Sequence, residues 1–288
     1  MKIKLILIAS FIILSGCSAS YEELKKTKIK NPQKFSEYLL KEYKNKATFE
    51  AEKMHDWNSA KLYSEKALIA KNGEEVLPEK ITYWNLPKEK VSDINKAHKN
   101  LMTVYSEAKI LDPYNLAIAI SSLDCWAEQQ EENWQIWDIN KCKEDFINSL
   151  HIIYGKISSI QKNNESKESV TVVTKNKEKQ IMQIIYFDFD EELLSNVSIN
   201  KLKNFINKNN LIINKYIIVG HADKKGTKVY NHNLSLKRAK AVKEILLEMG
   251  INNKLITLLG KGEESPAIIT LDGIAHPANR RAEIKIVN

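Results

Sequence analysis

GHADKKGTKVYNHNLSLKR, residues 220–238, is the stretch that decides the fold of the C-terminal part of this chain. Immediately before it, Tyr216-Ile-Ile-Val219 is a β-branched, aromatic run of strand length that ends at Gly220. After it, Ala239, Val242, Ile245, Leu246 and Met249 recur at helical spacing. An acid, Asp223, and a base, Arg238, therefore flank a strand-to-helix junction. Projected at helical pitch, Asn231, Ser235, Arg238, Val242, Ile245 and Met249 fall in one stripe about 60° wide. An arginine on a core-facing stripe is costly unless a carboxylate answers it, and its planar fork suits a carboxylate. Two readings stay open on these grounds: an internal Asp223–Arg238 ion pair, or two halves of a ligand clamp.

Working outward, further fragments fall in a fixed order: Tyr186-Phe-Asp-Phe-Asp190, Gly220-His-Ala-Asp223, Gly226, Asn231, Leu234-Ser235, Arg238-Ala239, Gly260-Lys-Gly-Glu263, Pro266 and Asn279-Arg-Arg-Ala-Glu-Ile284. From Ile184 to Asn288 this pattern resembles the OmpA-like peptidoglycan-binding domain. The resemblance implies a β-α-β-α-β-β domain that holds the meso-diaminopimelate of a peptidoglycan stem peptide. In that family an aspartate, here Asp223, engages the ligand's amine, and an arginine, here Arg238, engages its carboxylate. Asn231 matches a position that adds a neutral hydrogen bond, Phe187 and Asp188 match positions lining the pocket, and Thr227 and Arg281 are weaker matches. Each has a plainer reading beside this one. Phe187 alternates with Ile185 and Phe189 and suits core packing, whereas Arg280 and Arg281 suit solvated charge at a strand entry. His221 has no cysteine or serine partner implied by spacing and is assigned no chemistry.

The N-terminus carries a second signal. Two lysines in Met1-Lys-Ile-Lys4 precede an apolar run from Leu5 to Leu14 that is too short for the roughly 20 residues a membrane span needs. Leu14-Ser-Gly-Cys17 resembles the bacterial lipobox, with cleavage after residue 16 leaving a lipid-modified Cys17. Ser18 at the next position is permissive for outer-membrane sorting under the rules for such lipoproteins. The expected location is the periplasmic face of the outer membrane, held by acyl chains.

The resulting organisation is a lipoprotein signal peptide at 1–16, a helical domain at 17–160, a linker at 161–180 and the OmpA-like domain at 181–288, an α+β chain overall. Helical spacing is visible at Phe35, Leu39, Leu40 and Tyr43, at Ala60, Tyr63, Ala67 and Ile69-Ala70, and at Leu101, Val104, Tyr105 and Ala108. Asp56-Trp-Asn-Ser-Ala60 faintly resembles a tetratricopeptide unit, but no second copy follows at a period of about 34 residues. With Cys17 taken by lipid, Cys125 and Cys142 form an even pair that an oxidising compartment would favour as a disulfide. Two buried thiols or a metal pair are the alternatives, the latter disfavoured without clustered histidines. Trp126, Trp134 and Trp137 suit an aromatic core better than a partner surface.

The net charge of +8, from 44 basic and 36 acidic residues, does not imply nucleic acid, because the lysines are dispersed. No zinc-ligand spacing and no supported Ser–His or Cys–His arrangement is present, so neither enzyme, cofactor nor metal is expected. A motility stator would need an N-terminal span bearing an acid. The expected function is an outer-membrane tether to peptidoglycan, with a Tol-type periplasmic protein as a further partner. The competing expectation is an adaptor whose helical half recruits an envelope protein while the C-terminal domain only positions it.

Overall fold

The computed structural model describes residues 19–168, 181–188, 191–209 and 214–287. Cys17 and its lipobox-like flank, residues 169–180 of the expected linker, and Phe189-Asp190 lie outside the described residues. The chain divides into two compact units, residues 1–101 with 108–150 and residues 102–107 with 151–288.

The first unit is helical. After a helical segment at residues 19–26 come α1 (Phe35–Phe49), α2 (Trp57–Lys71), α3 (Lys88–Leu111), α4 (Pro113–Glu132) and α5 (Ile136–Glu168), with α3 and α5 contributing residues to both units. Most of the residues foreseen from spacing are buried, namely Leu39, Leu40 and Tyr43 in α1 and Ala60, Tyr63, Ala67 and Ala70 in α2, whereas Phe35 is half-buried and Ile69 is 38% exposed. Small alanines let α2 lie close against α1. Asp56 starts α2 by accepting hydrogen bonds from the amides of Asn58 and Ser59, and Asp112 does the same for α4, where Pro113 occupies the first turn.

A buried charge network ties these helices together. Lys66 Nζ pairs with Asp124 at 2.5 Å and with Glu79 at 2.9 Å. Asp124 also accepts from the Tyr43 hydroxyl and the Glu79 amide, both at 2.7 Å. Because each charge meets several partners, the desolvation that makes buried ions costly is offset. Cys125 and Cys142 are joined in a disulfide with 5.7 Å between their Cα atoms, linking α4 to α5.

One expectation for this half is corrected. Trp126 is buried against Phe146, but Trp134 and Trp137 are 67% and 64% exposed. Asn133 takes a left-handed conformation (φ 53°) that ends α4 and throws the following residues off the packed face. Helix α5 continues through residues 161–168 to Glu168, where no glycine or proline would stop it.

In the second unit, β1 (Met182–Tyr186), α6 (Asn196–Asn209), β2 (Lys215–Gly220), α7 (Lys228–Glu248), β3 (Ile256–Gly260) and β4 (Arg281–Val287) follow in order. This is the foreseen β-α-β-α-β-β succession, and the chain as a whole is α+β. The sheet order is β1-β4-β2-β3, with β4 antiparallel to both β1 and β2 and β2 parallel to β3. Leu202 and Ile206 of α6 and Ala239, Val242 and Leu246 of α7 share one core with Ile185, Tyr216, Ile218, Ile284 and Ile286 of the sheet. Among the described residues no helix is long and apolar enough to cross a membrane.

Two local devices fix the end of this sheet. Helix α7 lies so close to β2 that a Cβ on Gly220 would sit 1.8 Å from the Ser235 carbonyl oxygen. Ahead of β4, the turn Pro277–Asn279 is capped by His276, whose Nδ1 accepts from the Ala278 amide at 3.2 Å. Burial, then the charge of Arg280, pushes the His276 pKa down to about 4.

Gly220→Ala is expected to destabilise the protein by at least about 3 kcal/mol in urea unfolding, because the new methyl meets backbone rather than a yielding side chain. Replacing Cys125 and Cys142 by serine opens a loop of sequence separation 17 and should lower stability by about 3 kcal/mol under oxidising conditions. Unfolded His276 takes a proton near its ordinary value of about 6.5; folded, only near 4. Its contribution is thus complete above 6.5 and lost as pH falls towards 4. His276→Asn, which keeps an acceptor for the cap, should shrink the difference between stabilities measured at pH 7 and pH 4.5.

Candidate functional site

The site is assembled where β2 ends. Gly220 permits the close contact with α7, the chain then runs through His221 and Ala222 to Asp223, and Gly226 turns it with φ 109°. Thr227 caps α7, its hydroxyl oxygen accepting from the Tyr230 amide at 3.2 Å. From that start, Asn231, Leu234, Ser235, Arg238, Ala239, Val242 and Leu246 face inward, matching the stripe that runs from polar to apolar.

Arg238 is fully buried, with 0% exposure. Its Nε donates to the Glu191 carbonyl at 2.9 Å, Nη1 to the His221 carbonyl at 3.0 Å and Nη2 to the Asp188 carbonyl at 3.2 Å. The Phe187 ring lies 5.3 Å from its Cζ atom, a cation–π distance. One guanidinium thus gathers the loop after β1, the end of β2 and α7.

The internal pair weighed from sequence is not the one formed. Asp223, also buried, pairs with Arg280, whose Nη1 donates to Asp223 Oδ2 at 3.1 Å. Asp223 Oδ1 accepts from the Lys225 amide at 3.1 Å. Arg280 and Arg281 are therefore not solvated: they are 2% and 3% exposed. Arg281 reaches Glu283 Oε1 through both Nε and Nη2 (3.1 and 2.7 Å), and Nη2 also donates to the Ser265 carbonyl. Pairing of β1 and β2 on either side of β4 encloses the strand's first residue and the arginine before it.

The other expected positions divide. Phe187 belongs to the core and to the Arg238 contact at once. Asp188 is exposed, and its carbonyl oxygen meets Arg238. Asn231 is buried and donates from Nδ2 to Glu263 Oε2 at 2.5 Å, so it joins α7 to the loop after β3. Thr227 is exposed at the rim. His221 is buried, its Nε2 3.8 Å from Glu283 Oε1. Sequence reasoning missed Arg280, Glu263 and His276 as neighbours of this site. Glu263 stood within a quoted motif, and Arg280 lay inside Asn279-Arg-Arg-Ala, so position was available but pairing was not. Chemically the arrangement offers a buried carboxylate and a buried guanidinium on adjoining segments, suited to holding a ligand that carries both charges.

The OmpA family model matches residues 186–280. The peptidoglycan-associated lipoprotein of Pasteurella multocida is 38% identical over 68 residues, 24% of this chain and 45% of that protein. Outer membrane protein A of Bordetella avium is 35% identical over 103 residues, 35% of this chain and 53% of that protein. The match thus spans about half the length of each relative. Among solved structures, the peptidoglycan-associated lipoprotein from Burkholderia pseudomallei is 28% identical, covering 36% of this chain and 89% of that one, with a TM-score of 0.34. The fold, the order of motifs and the family match agree, and residues 186–280 of this chain are a domain of the OmpA family.

Proposed function

We propose that this chain is a non-enzymatic tether whose C-terminal domain holds peptidoglycan while lipid on Cys17 anchors the N-terminus to the outer membrane, facing the periplasm. The observation that carries the reading is the placement of Asp223 and Arg238 within an OmpA family domain: His221, two residues before Asp223, gives its carbonyl to Arg238. Acid and base therefore adjoin through one short segment. A diaminopimelate side group presents an ammonium and a carboxylate on one carbon, and the two protein charges are of the complementary kinds. The ammonium would join Arg280 and the Lys225 amide on Asp223, whose carboxylate has room for about four donors. The carbonyls around Arg238 hold its plane fixed, so a ligand carboxylate meets a preorganised fork and little rotamer freedom is lost on binding. A Tol-type periplasmic protein is a further partner in the same reading.

Because Arg238 and Asp223 also hold the fold, the test must separate binding from stability. Asp223→Asn and Arg238→Lys keep shape, and each should reduce retention of the full chain on isolated peptidoglycan sacculi at least about tenfold, measured well below the melting temperature. Free meso-diaminopimelate should raise the melting temperature of the wild type and of neither variant. Full retention by both variants, each shown folded by circular dichroism, would overturn the assignment.

A further inference from the structure

The exposed tryptophans of the helical unit share one end of it with the point where the N-terminus enters. Helices α1 and α4 run side by side in the same direction, with the Tyr38 and Tyr114 rings 5.3 Å apart at their starts and the Tyr43 hydroxyl on Asp124 midway. Both therefore finish together. Helix α2 begins at the same end, since the Ser59 hydroxyl donates to Glu128 Oε1 at 2.8 Å. Just past the end of α4, Trp134, Ile136 and Trp137 are 67%, 72% and 64% exposed. Trp137 lines a cavity of 340 Å³ together with Phe49, the last residue of α1. Trp57, the first residue of α2, is 42% exposed. Large apolar side chains gathered in this way mark an interaction surface.

The helical segment at residues 19–26 is locked to that end. Tyr21 is buried, its hydroxyl donates to Glu52 Oε1 at 2.9 Å, and its ring lies 6.2 Å from that of Trp57. Later in the chain the Lys44 ammonium donates to the Thr27 carbonyl at 2.6 Å. The segment thus runs antiparallel to α1, and its exposed first residue, Ala19, stands where α1 finishes. Leu24, fully buried, and Tyr21 leave the segment no freedom to swing away. Only Ser18 separates Ala19 from Cys17, and two residues span at most about 7 Å. Acyl chains on Cys17 would therefore bring this end of the unit, and no other, against the head groups.

We propose that this end of the helical unit, with Trp134, Ile136 and Trp137 foremost, seats in the head-group region of the bilayer that holds Cys17. The inference rests on the reading of Cys17 as the lipid anchor. Tryptophan suits such a boundary, because its ring enters the acyl edge while its N–H keeps a polar partner. Trp134 already has one: its Nε1 donates to Glu132 Oε2 at 3.2 Å. Exposed Glu131 and Glu132 are accompanied by exposed Lys53 and Lys141 at this end, so neither sign of charge dominates. The attraction is apolar, and a zwitterionic bilayer suffices. Acyl chains alone fix the distance of the unit from the membrane; the aromatic seat fixes its orientation.

The test reconstitutes the full acylated chain in phosphatidylcholine vesicles brominated near the head-group end of an acyl chain, where bromine quenches indole fluorescence by contact. Trp84 and Trp126 are buried, so quenching reports on Trp57, Trp134 and Trp137. Quenching is expected in the wild type and should persist at high salt. Ile136→Asp keeps every tryptophan and places a charge in the seat, so it should cut the quenching at least about twofold. Ile110→Asp, exposed at the start of α4 and so at the opposite end, should quench as the wild type does. Mass spectrometry of the same sample separates the two readings. Acylated Cys17 without quenching would overturn the seat and leave the anchor standing, whereas Cys17 without acyl chains would overturn both. Equal quenching in Ile136→Asp would also overturn the seat. A dimer in detergent that Ile136→Asp dissociates, with no quenching in vesicles, would assign the face to a second copy of the chain instead.

Discussion

A guanidinium shut away from water must be surrounded by acceptors, and Arg238 meets this demand with three carbonyls, two from the loop after β1 and one from the end of β2. The cost of burying such a charge is high unless its donors are used. Here the donors reach carbonyls at 188, 191 and 221, none of which is adjacent to Arg238 in sequence. The helix that carries it can approach the sheet only because residue 220 has no side chain. Packing and electrostatics are therefore coupled: the contact at Gly220 sets the depth of α7, and that depth sets where the arginine ends.

The same economy of charge runs through both units, with different outcomes. Around Asp124, one lysine, one tyrosine and one amide leave the carboxylate fully answered. Asp223 is answered by Arg280 and a backbone amide. Glu50, Asp56 and Glu128 bring three carboxylates close together, with Asp56 answered by the amides of Asn58 and Ser59 and Glu128 by the Ser59 hydroxyl and the Gln129 amide. Buried polar groups that satisfy one another rigidify a core.

What was legible in the sequence depended on how local the cause was. The helical stripe from Asn231 to Met249 follows from a period that any window of that length displays, and the succession of strands and helices in 181–288 follows from it and its neighbours. The helix starts at Asp56 and Asp112 are written in the residue types themselves. Arg280 was misjudged because its partner lies 57 residues away, and a charged residue beside a strand ordinarily meets water. Trp134 and Trp137 were misjudged because aromatic composition says what a side chain prefers, whereas a left-handed Asn133 decided which way the chain turned. The proximity of Glu50, Asp56 and Glu128 had no linear signature: a π turn at Glu50–Met54 and a left-handed His55 bring Glu50 and Asp56 together.

The sheet order gives β4 a disproportionate role. β4 lies between β1 and β2 and is the only strand hydrogen-bonded to β1 among the described residues. Tyr186 pairs with Arg281 across nearly the whole domain, so this closure has a high contact order. A ribosome that has released everything up to residue 280 has not yet supplied a partner for the first strand. The sheet is therefore completed only once residues 281–287 have been made, and removing that seven-residue strand removes the middle of the sheet rather than its edge.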